Sequence, residues 1–380
     1  MRTVCFFLVP TLVLGMLSCN KADIDPTPFC TAPDFSGHPR QLELQGILED
    51  HVRENQLPGA LIAMRTAPGP LWVGAWGKAN LEENNAMVAC TPFRTGSITK
   101  VFVATLALMF QEEGRLDLDD PLTTHLPAVR DKVPDADRIT LRMLLDHSSG
   151  LRHPSDDDVR YQLRIVNDPE GMARLGTQRK LEEYVFGHPL LFAPGQGIHY
   201  SNAGYWLMQQ VLERVSGRSL SQLLQDRITA PLGLVDTWLA WGEDARVARG
   251  YGRQGAALVD VTAYDRADSD GDPAGGLVST ATDLVLFGEA LFSGQLISPA
   301  SLAEMKQVSI HPGGSPSDFV YGLGIETWST PGGLNGYGKN GSLAGADANW
   351  IIFPEQATSV VIFTNYGAGS RKDFIDVLVH

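Results

Sequence analysis

Ser97-Ile98-Thr99-Lys100-Val101-Phe102-Val103-Ala104-Thr105-Leu106-Ala107-Leu108-Met109-Phe110 reads as one helix, running to about Glu113 and stopping at Gly114. Val101, Phe102, Val103, Ala104, Leu106, Ala107, Leu108, Met109 and Phe110 leave it almost no polar face. A helix that is apolar nearly all round is buried, because no side of it suits water. It is therefore a rigid central element, and side chains at its start share that rigidity. Ser97 and Lys100 stand three residues apart, which on a helix means one face and about 5–6 Å between Cβ atoms. An alcohol and an amine so placed are a nucleophile and a base within reach of each other.

Ser-x-x-Lys is a short pattern, and Ser18-Cys19-Asn20-Lys21 also fits it. Two further stretches give the match at Ser97 its meaning. Tyr200-Ser201-Asn202 follows the turn Phe192-Ala193-Pro194-Gly195 and precedes a helix beginning near Ala203. Lys339-Asn340-Gly341 comes late, at the end of an expected strand and beside further glycine. Taken singly, Tyr200 reads as a core residue, Asn202 as a helix cap and Lys339 as a surface lysine. Taken in order, on helix start, loop and strand, they make a set. His311-Pro312-Gly313 has the outline of the third stretch, but its Pro/Gly surroundings read as a loop.

The remaining periodicity places these stretches in a fold. A helix over Gln41 to Glu54 carries Leu44, Ile47, Leu48 and Val52 on one face. Strands follow at Ala60–Arg65 and Leu71–Ala75. From Leu116 to about Ala274 the chain reads as helices and loops, clearest at Leu141–Leu145, Ala203–Val215 and Leu220–Arg227. A helix at Ala281–Phe292 comes next. Strands return at Val320–Trp328, Leu334–Gly338, Ala348–Phe353 and Thr358–Thr364, and residues 371–379 read as a short closing helix. Strands at both ends around a helical middle predict an α+β fold: one antiparallel sheet assembled from the two termini, flanked by helices, with an all-helical region inserted. The expected division is a signal over 1–19, a tether over 20–38, and a catalytic domain over 39–380. Within that domain the α/β part covers about 39–115 and 276–380, and the insert about 116–275.

Of the 380 residues, 43% are apolar and 19% charged, the composition of a folding chain able to bury a large core without disulfides or metals. Arg2 followed by the apolar run Cys5 to Gly15 has the layout of a secretory signal, too short to span a membrane. Met16-Leu17-Ser18-Cys19 ends it like a lipoprotein box, which predicts an exported protein tethered to a membrane through lipid on Cys19. An ordinary cleaved signal or an uncleaved anchor is the alternative. Cys30 and Cys90 remain, and an oxidising compartment leaves open both a disulfide between them and two free thiols. The net charge of −14, without a basic stripe, argues against nucleic acid as a partner. The run Asp265-Arg266-Ala267-Asp268-Ser269-Asp270-Gly271-Asp272 fails as a calcium loop, because Arg266 and Leu277 would fall at its first and twelfth positions. It reads as a solvated acidic loop. No metal or cofactor is expected.

The three patterns together resemble the serine β-lactamase and penicillin-binding-protein superfamily, and Tyr-x-Asn points to its class C β-lactamase and D-Ala-D-Ala carboxypeptidase side. Gly114–Pro121, His147-Ser148-Ser149-Gly150-Leu151, Pro231-Leu232-Gly233-Leu234 and Gly275–Thr280 agree, and the likeness covers about residues 41 to 370. The resemblance implies that Ser97 attacks a carbonyl to form an acyl-enzyme and that Lys100, Tyr200 or the two as a unit take its proton. It implies that Asn202 bonds the substrate amide and Lys100, and that Lys339 attracts a carboxylate beside Asn340 and Gly341. Backbone N–H groups of Ser97 and Ser342 would hold the oxyanion. The expected activity is that of a D-alanyl-D-alanine carboxypeptidase or β-lactamase, acting on a D-alanyl peptide, a β-lactam or an ester. Asn340 stands where the family often has Thr or Ser, which favours an esterase or D-aminopeptidase as the alternative. A non-catalytic sensor on the same scaffold is the third reading. Oligomeric state is not legible.

Overall fold

The computed structural model describes residues 37–310, 320–367 and 372–379. The expected signal, most of the expected tether, Cys19, Cys30 and His311-Pro312-Gly313 lie outside the described residues. In chain order the strands are β1 (Gly59–Thr66), β2 (Trp72–Asn80), β3 (Asn85–Ala86) and β4 (Phe93–Arg94). Then come β5 (Trp238–Leu239), β6 (Tyr251–Gln254), β7 (Ala257–Asp260) and β8 (Leu277–Ser279). The last are β9 (Glu326–Ser329), β10 (Asn335–Ser342), β11 (Asp347–Phe353) and β12 (Thr358–Thr364). The main sheet has seven strands in the order β3-β2-β1-β12-β11-β10-β9. All its pairings are antiparallel, and the two ends of the chain meet at its centre, where Ala60 faces Thr364.

The central strands are buried on both faces, and the alternation of their side chains decides which core each residue enters. On β1, Leu61 and Ala63 join the larger core, while Ala60, Ile62 and Met64 join a second one. β12 splits in the same way, with Val361 and Phe363 against Val360 and Ile362. Slipping either strand by one residue would exchange the two sets, so the register is strongly specified. Helix α1 (Gln41–Glu54) closes the second core with Leu44, Leu48 and Val52. The larger core is built round α2 (Thr99–Glu112), every residue of which is buried from Thr99 to Phe110. Gly114, at φ +66°, ends this helix: its N–H reaches Gln111 O and that of Arg115 reaches Phe110 O, each at 2.9 Å.

The inserted region contributes α3 (Thr177–Tyr184), α4 (Asn202–Ser216) and α5 (Thr262–Ser269). Beyond it lie α6 (Ala281–Phe292) and the closing α7 (Lys372–Val379). Phe287 of α6 stacks on Phe102 of α2, with ring centroids 3.7 Å apart. Among the described residues no helix is long and apolar enough to cross a membrane.

Four details differ from the sequence reading. Ser97 lies in a 3-10 turn, Gly96–Ile98, just ahead of α2 rather than in its first turn. Lys339-Asn340-Gly341 is inside a strand, because the ladder between β10 and β11 continues to Ser342 opposite Asp347. The insert is not all helical: β5 pairs with β8, and β6 with β7. The acidic run is not a solvated loop. It is α5 and the turn after it, where Asp265, Asp270 and Asp272 are buried. Burial is tolerated because partners meet these carboxylates: Arg94 and Arg266 hold Asp270, and Lys180 holds Asp272.

Candidate active site

The chain leaves β4 and turns through Gly96, at φ +53°, into Ser97. Thr99 pins this turn, its hydroxyl donating to Gly96 O at 2.7 Å and accepting from Leu277 N–H at 3.0 Å. Strand β10 passes against the turn backbone to backbone. A Cβ on Gly341 would stand 1.9 Å from Thr95 O and 3.0 Å from Ser97 N, and one on Gly96 would stand 3.2 Å from Ser342 N. Only glycine on both sides allows this approach. It brings the amides of Ser97 and Ser342 to adjoining points of one wall.

Lys100 Nζ is buried and lies 2.8 Å from Asn202 Oδ1, 2.8 Å from Ala274 O and 3.2 Å from Ser97 Oγ. As an ammonium it has a proton for each of these three acceptors. As a neutral amine it has two, which Asn202 and Ala274 take, leaving its lone pair facing Ser97. Burial lowers the Lys100 pKa, and the ammonium of Lys339 adds to that effect. The Tyr200 hydroxyl sits 2.6 Å from Ser97 Oγ. Burial alone would push its phenol up, but Lys100 and Lys339 more than offset this, and its pKa falls below the ordinary value. Their Nζ atoms lie 4.8 and 5.0 Å from the centre of its ring. Both groups beside the serine are thereby brought nearer to working as proton acceptors.

Asn202 begins α4 but does not cap it; the Ser201 hydroxyl does so by accepting Ala203 N–H, which leaves the Asn202 amide for Lys100. Lys339 Nζ is buried against Glu326 Oε1 at 2.5 Å and reaches Asn340 Oδ1 at 3.3 Å. Burial lowers its pKa, but Glu326 outweighs this and holds the ammonium protonated. Ser97, Tyr200, Asn202, Lys339, Asn340 and Ser342 all line one cleft of about 420 Å³. Gly341 lies between Asn340 and Ser342, packed against the Ser97 turn. The structure therefore brings together every expected site residue except the cysteines. Of those, Cys90 is disulfide-bonded, while Cys30 and Cys19 lie outside the described residues. Among the described residues no group of three or more His, Cys, Asp or Glu is arranged to hold a metal.

Three participants escaped the sequence reading. Glu326 carried one signal, an acid within an apolar strand pattern. The Ala274 carbonyl carried none, since a backbone acceptor has no residue identity. His147 stood in one of the stretches behind the resemblance, but without a role. Its ring packs on Tyr200 at 4.2 Å between centroids, and its Nδ1 accepts Ser201 N–H at 3.1 Å. Burial, with Lys100 and Lys339 nearby, pushes the His147 pKa well below its usual value, so the ring is a neutral support for the tyrosine.

Proteins of known name resemble this chain in sequence, and others in fold. The chain is 30% identical to the esterase EstB of Burkholderia gladioli over 236 residues, 61% of this chain and 59% of that protein. It is 27% identical to the putative penicillin-binding protein PbpX of Bacillus subtilis over 286 residues, 74% of this chain and 63% of that one. The aligned part is thus under two thirds of the length of either relative. Among solved structures, a D-stereospecific amidohydrolase from Streptomyces sp. superposes with a TM-score of 0.77 at 29% identity, covering 89% of this chain and 98% of that one. The D-amino acid amidase of Ochrobactrum anthropi gives 0.73 at 28% identity, covering 88% and 95%. The Beta-lactamase family model matches residues 44–377, nearly the whole of the folded part. This protein therefore belongs to the Beta-lactamase family.

Proposed function

We propose that the protein hydrolyses esters or amides that carry no free carboxylate beside the scissile bond, as an esterase or D-amino acid amidase. Ser97 Oγ attacks the substrate carbonyl as its proton passes to the Tyr200–Lys100 pair. The oxyanion is stabilised by the N–H groups of Ser97 and Ser342, worth roughly 3–4 kcal/mol for one such donor. Collapse breaks the bond to the leaving group, which takes the proton, and leaves Ser97 acylated. Water then repeats the sequence: it gives a proton to the same pair, attacks the acyl carbonyl, and releases the acid with Ser97 restored.

The observation that carries the choice of substrate is Glu326 on Lys339. A β-lactam or a D-alanyl-D-alanine peptide presents a carboxylate, and Lys339 is the cation expected to receive it. That cation is already neutralised by a buried acid, and Asn340 replaces the family's usual hydroxyl. The esterase and amidase names among the relatives support the same reading.

A panel of a p-nitrophenyl ester, D-phenylalanine amide, a D-alanyl-D-alanine peptide and a chromogenic cephalosporin tests it, with wild type beside Ser97→Ala. The ester and the amide should turn over fastest, and Ser97→Ala should lose at least about a thousandfold. Preference for the peptide or the cephalosporin would restore the carboxypeptidase or β-lactamase reading. Absence of a Ser97-dependent adduct with a fluorophosphonate would remove the nucleophile.

A further inference from the structure

Lys180 of α3 is 1% exposed and does not line the cleft, yet it is linked to the cleft through a short chain of contacts. Its Nζ donates to Asp272 Oδ2 and to Asp268 O, both at 3.0 Å. Trp206 Nε1 donates to the same Asp272 oxygen at 2.7 Å. The other oxygen of Asp272 accepts Ala274 N–H at 2.7 Å, and Asp272 O accepts the N–H groups of Gly275 and Gly276. The carboxylate is thus the hub of the turn, fixed on one side by the insert. On the far side of the turn the Ala274 carbonyl receives Lys100 Nζ.

A buried ion pair is a poor device for stability, since two well-packed apolar side chains of similar volume often do as well. It does define a position. The direction of the Lys100 lone pair depends on where its two other acceptors sit. One is Asn202 at the start of α4. The other is a backbone carbonyl whose place depends on Asp272 and its partners. A shift of about 1 Å in such a contact is enough to cost about 100-fold in rate.

We propose that Lys180 is a positioning residue for acylation: through Asp272 it fixes the Ala274 carbonyl on Lys100 Nζ and so aims Lys100 at Ser97. The role rests on the reading of Ser97 as nucleophile. It also has an electrostatic side. Lys100 is faced by Tyr200, Tyr205, Lys339, His147, His153 and Asp272, and of these Tyr200 and, after it, the Asp272 carboxylate favour the Lys100 ammonium. Lys180 neutralises that carboxylate, which Tyr161 also senses.

The test is the pH profile of kcat/KM for a p-nitrophenyl ester, with Tm measured alongside. Wild-type activity should rise with pH as Lys100 gives up its proton. Lys180→Met should lose about 10- to 100-fold in kcat at little change in KM. Its acid limb should move to higher pH, because an uncompensated Asp272 holds the Lys100 proton more strongly. Asp272→Asn, which leaves Lys180 as the bare charge, should move the limb to lower pH. The double variant, with no charge at either place, should bring it back towards wild type. Limbs that stay at the wild-type position in both single variants, with only Tm reduced, would overturn the proposal and leave the pair a structural one. Should Lys180→Met fail to fold, the Asp272→Asn limb alone decides. Ser97→Ala is assayed beside them, and full turnover there would overturn the nucleophile and this role with it.

Discussion

Glu326 and Lys339 show how one side chain sets what its neighbour is able to bind. A buried lysine without a counter-ion would either lose its proton or capture an anion from solution. Glu326 supplies the anion from within, so Lys339 stays charged and lends its field to Lys100 and Tyr200 without offering a vacant place to a carboxylate. Glu326→Gln should therefore change selectivity in a definite direction. A charge-assisted hydrogen bond is worth about 1.5–3 kcal/mol, so KM for a D-alanyl-D-alanine peptide should fall by about tenfold or more. KM for an uncharged ester should stay near wild type. Steady-state kinetics on the two substrates checks this, and a parallel change in both would mean that Glu326 acts on the reaction rather than on recognition.

At the scale of elements, the decisive contact is that of the Ser97 turn with β10. Gly341→Ala would drive a methyl group to within 1.9 Å of Thr95 O, so turn and strand must part. Overpacking of this kind costs about 1–3 kcal/mol, and here it also separates the amides of Ser97 and Ser342. Thermal melting should show a modest loss, and turnover of a p-nitrophenyl ester a loss of about 100-fold or more. How much of this was legible follows from how local each feature is. Ser97 and Lys100 could be paired from sequence because three-residue spacing on a helix is local geometry. Tyr200, Asn202 and Lys339 could be joined to them only through a resemblance, since nothing local brings a loop of the insert to a strand of the sheet. β5 could not be found, because two residues are too few to show an alternation. The acidic run was misread because composition reports charge, while burial depends on Arg94, Lys180 and Tyr161 arriving from elsewhere in the chain.

Across the whole molecule, that run ties the insert to the sheet. Asp265 of α5 accepts Gly345 N–H in the turn between β10 and β11 at 2.8 Å. Burial pushes its carboxyl up to about 7 from the ordinary 3.8. Between those values the folded protein keeps a proton that the unfolded chain has released. Its stabilising contribution is thus complete below about 4 and is lost as pH rises through about 7. Asp265→Asn keeps the accepting oxygen and removes the titration. It should melt a few degrees above wild type at pH 8 and no higher at pH 4, as calorimetry at the two values would show. An unchanged difference across that range would mean that Asp265 does not titrate there.

The meeting of β1 with β12 also bears on how the protein is made. Ala60 leaves the ribosome about 300 residues before Thr364, so one edge of β1 has no neighbour throughout that interval. Strand β10, which walls the cleft, emerges only shortly before β12. The nascent polypeptide therefore stays open until β12 has been made, and a chaperone that binds extended, unpaired chain has that whole interval in which to engage it.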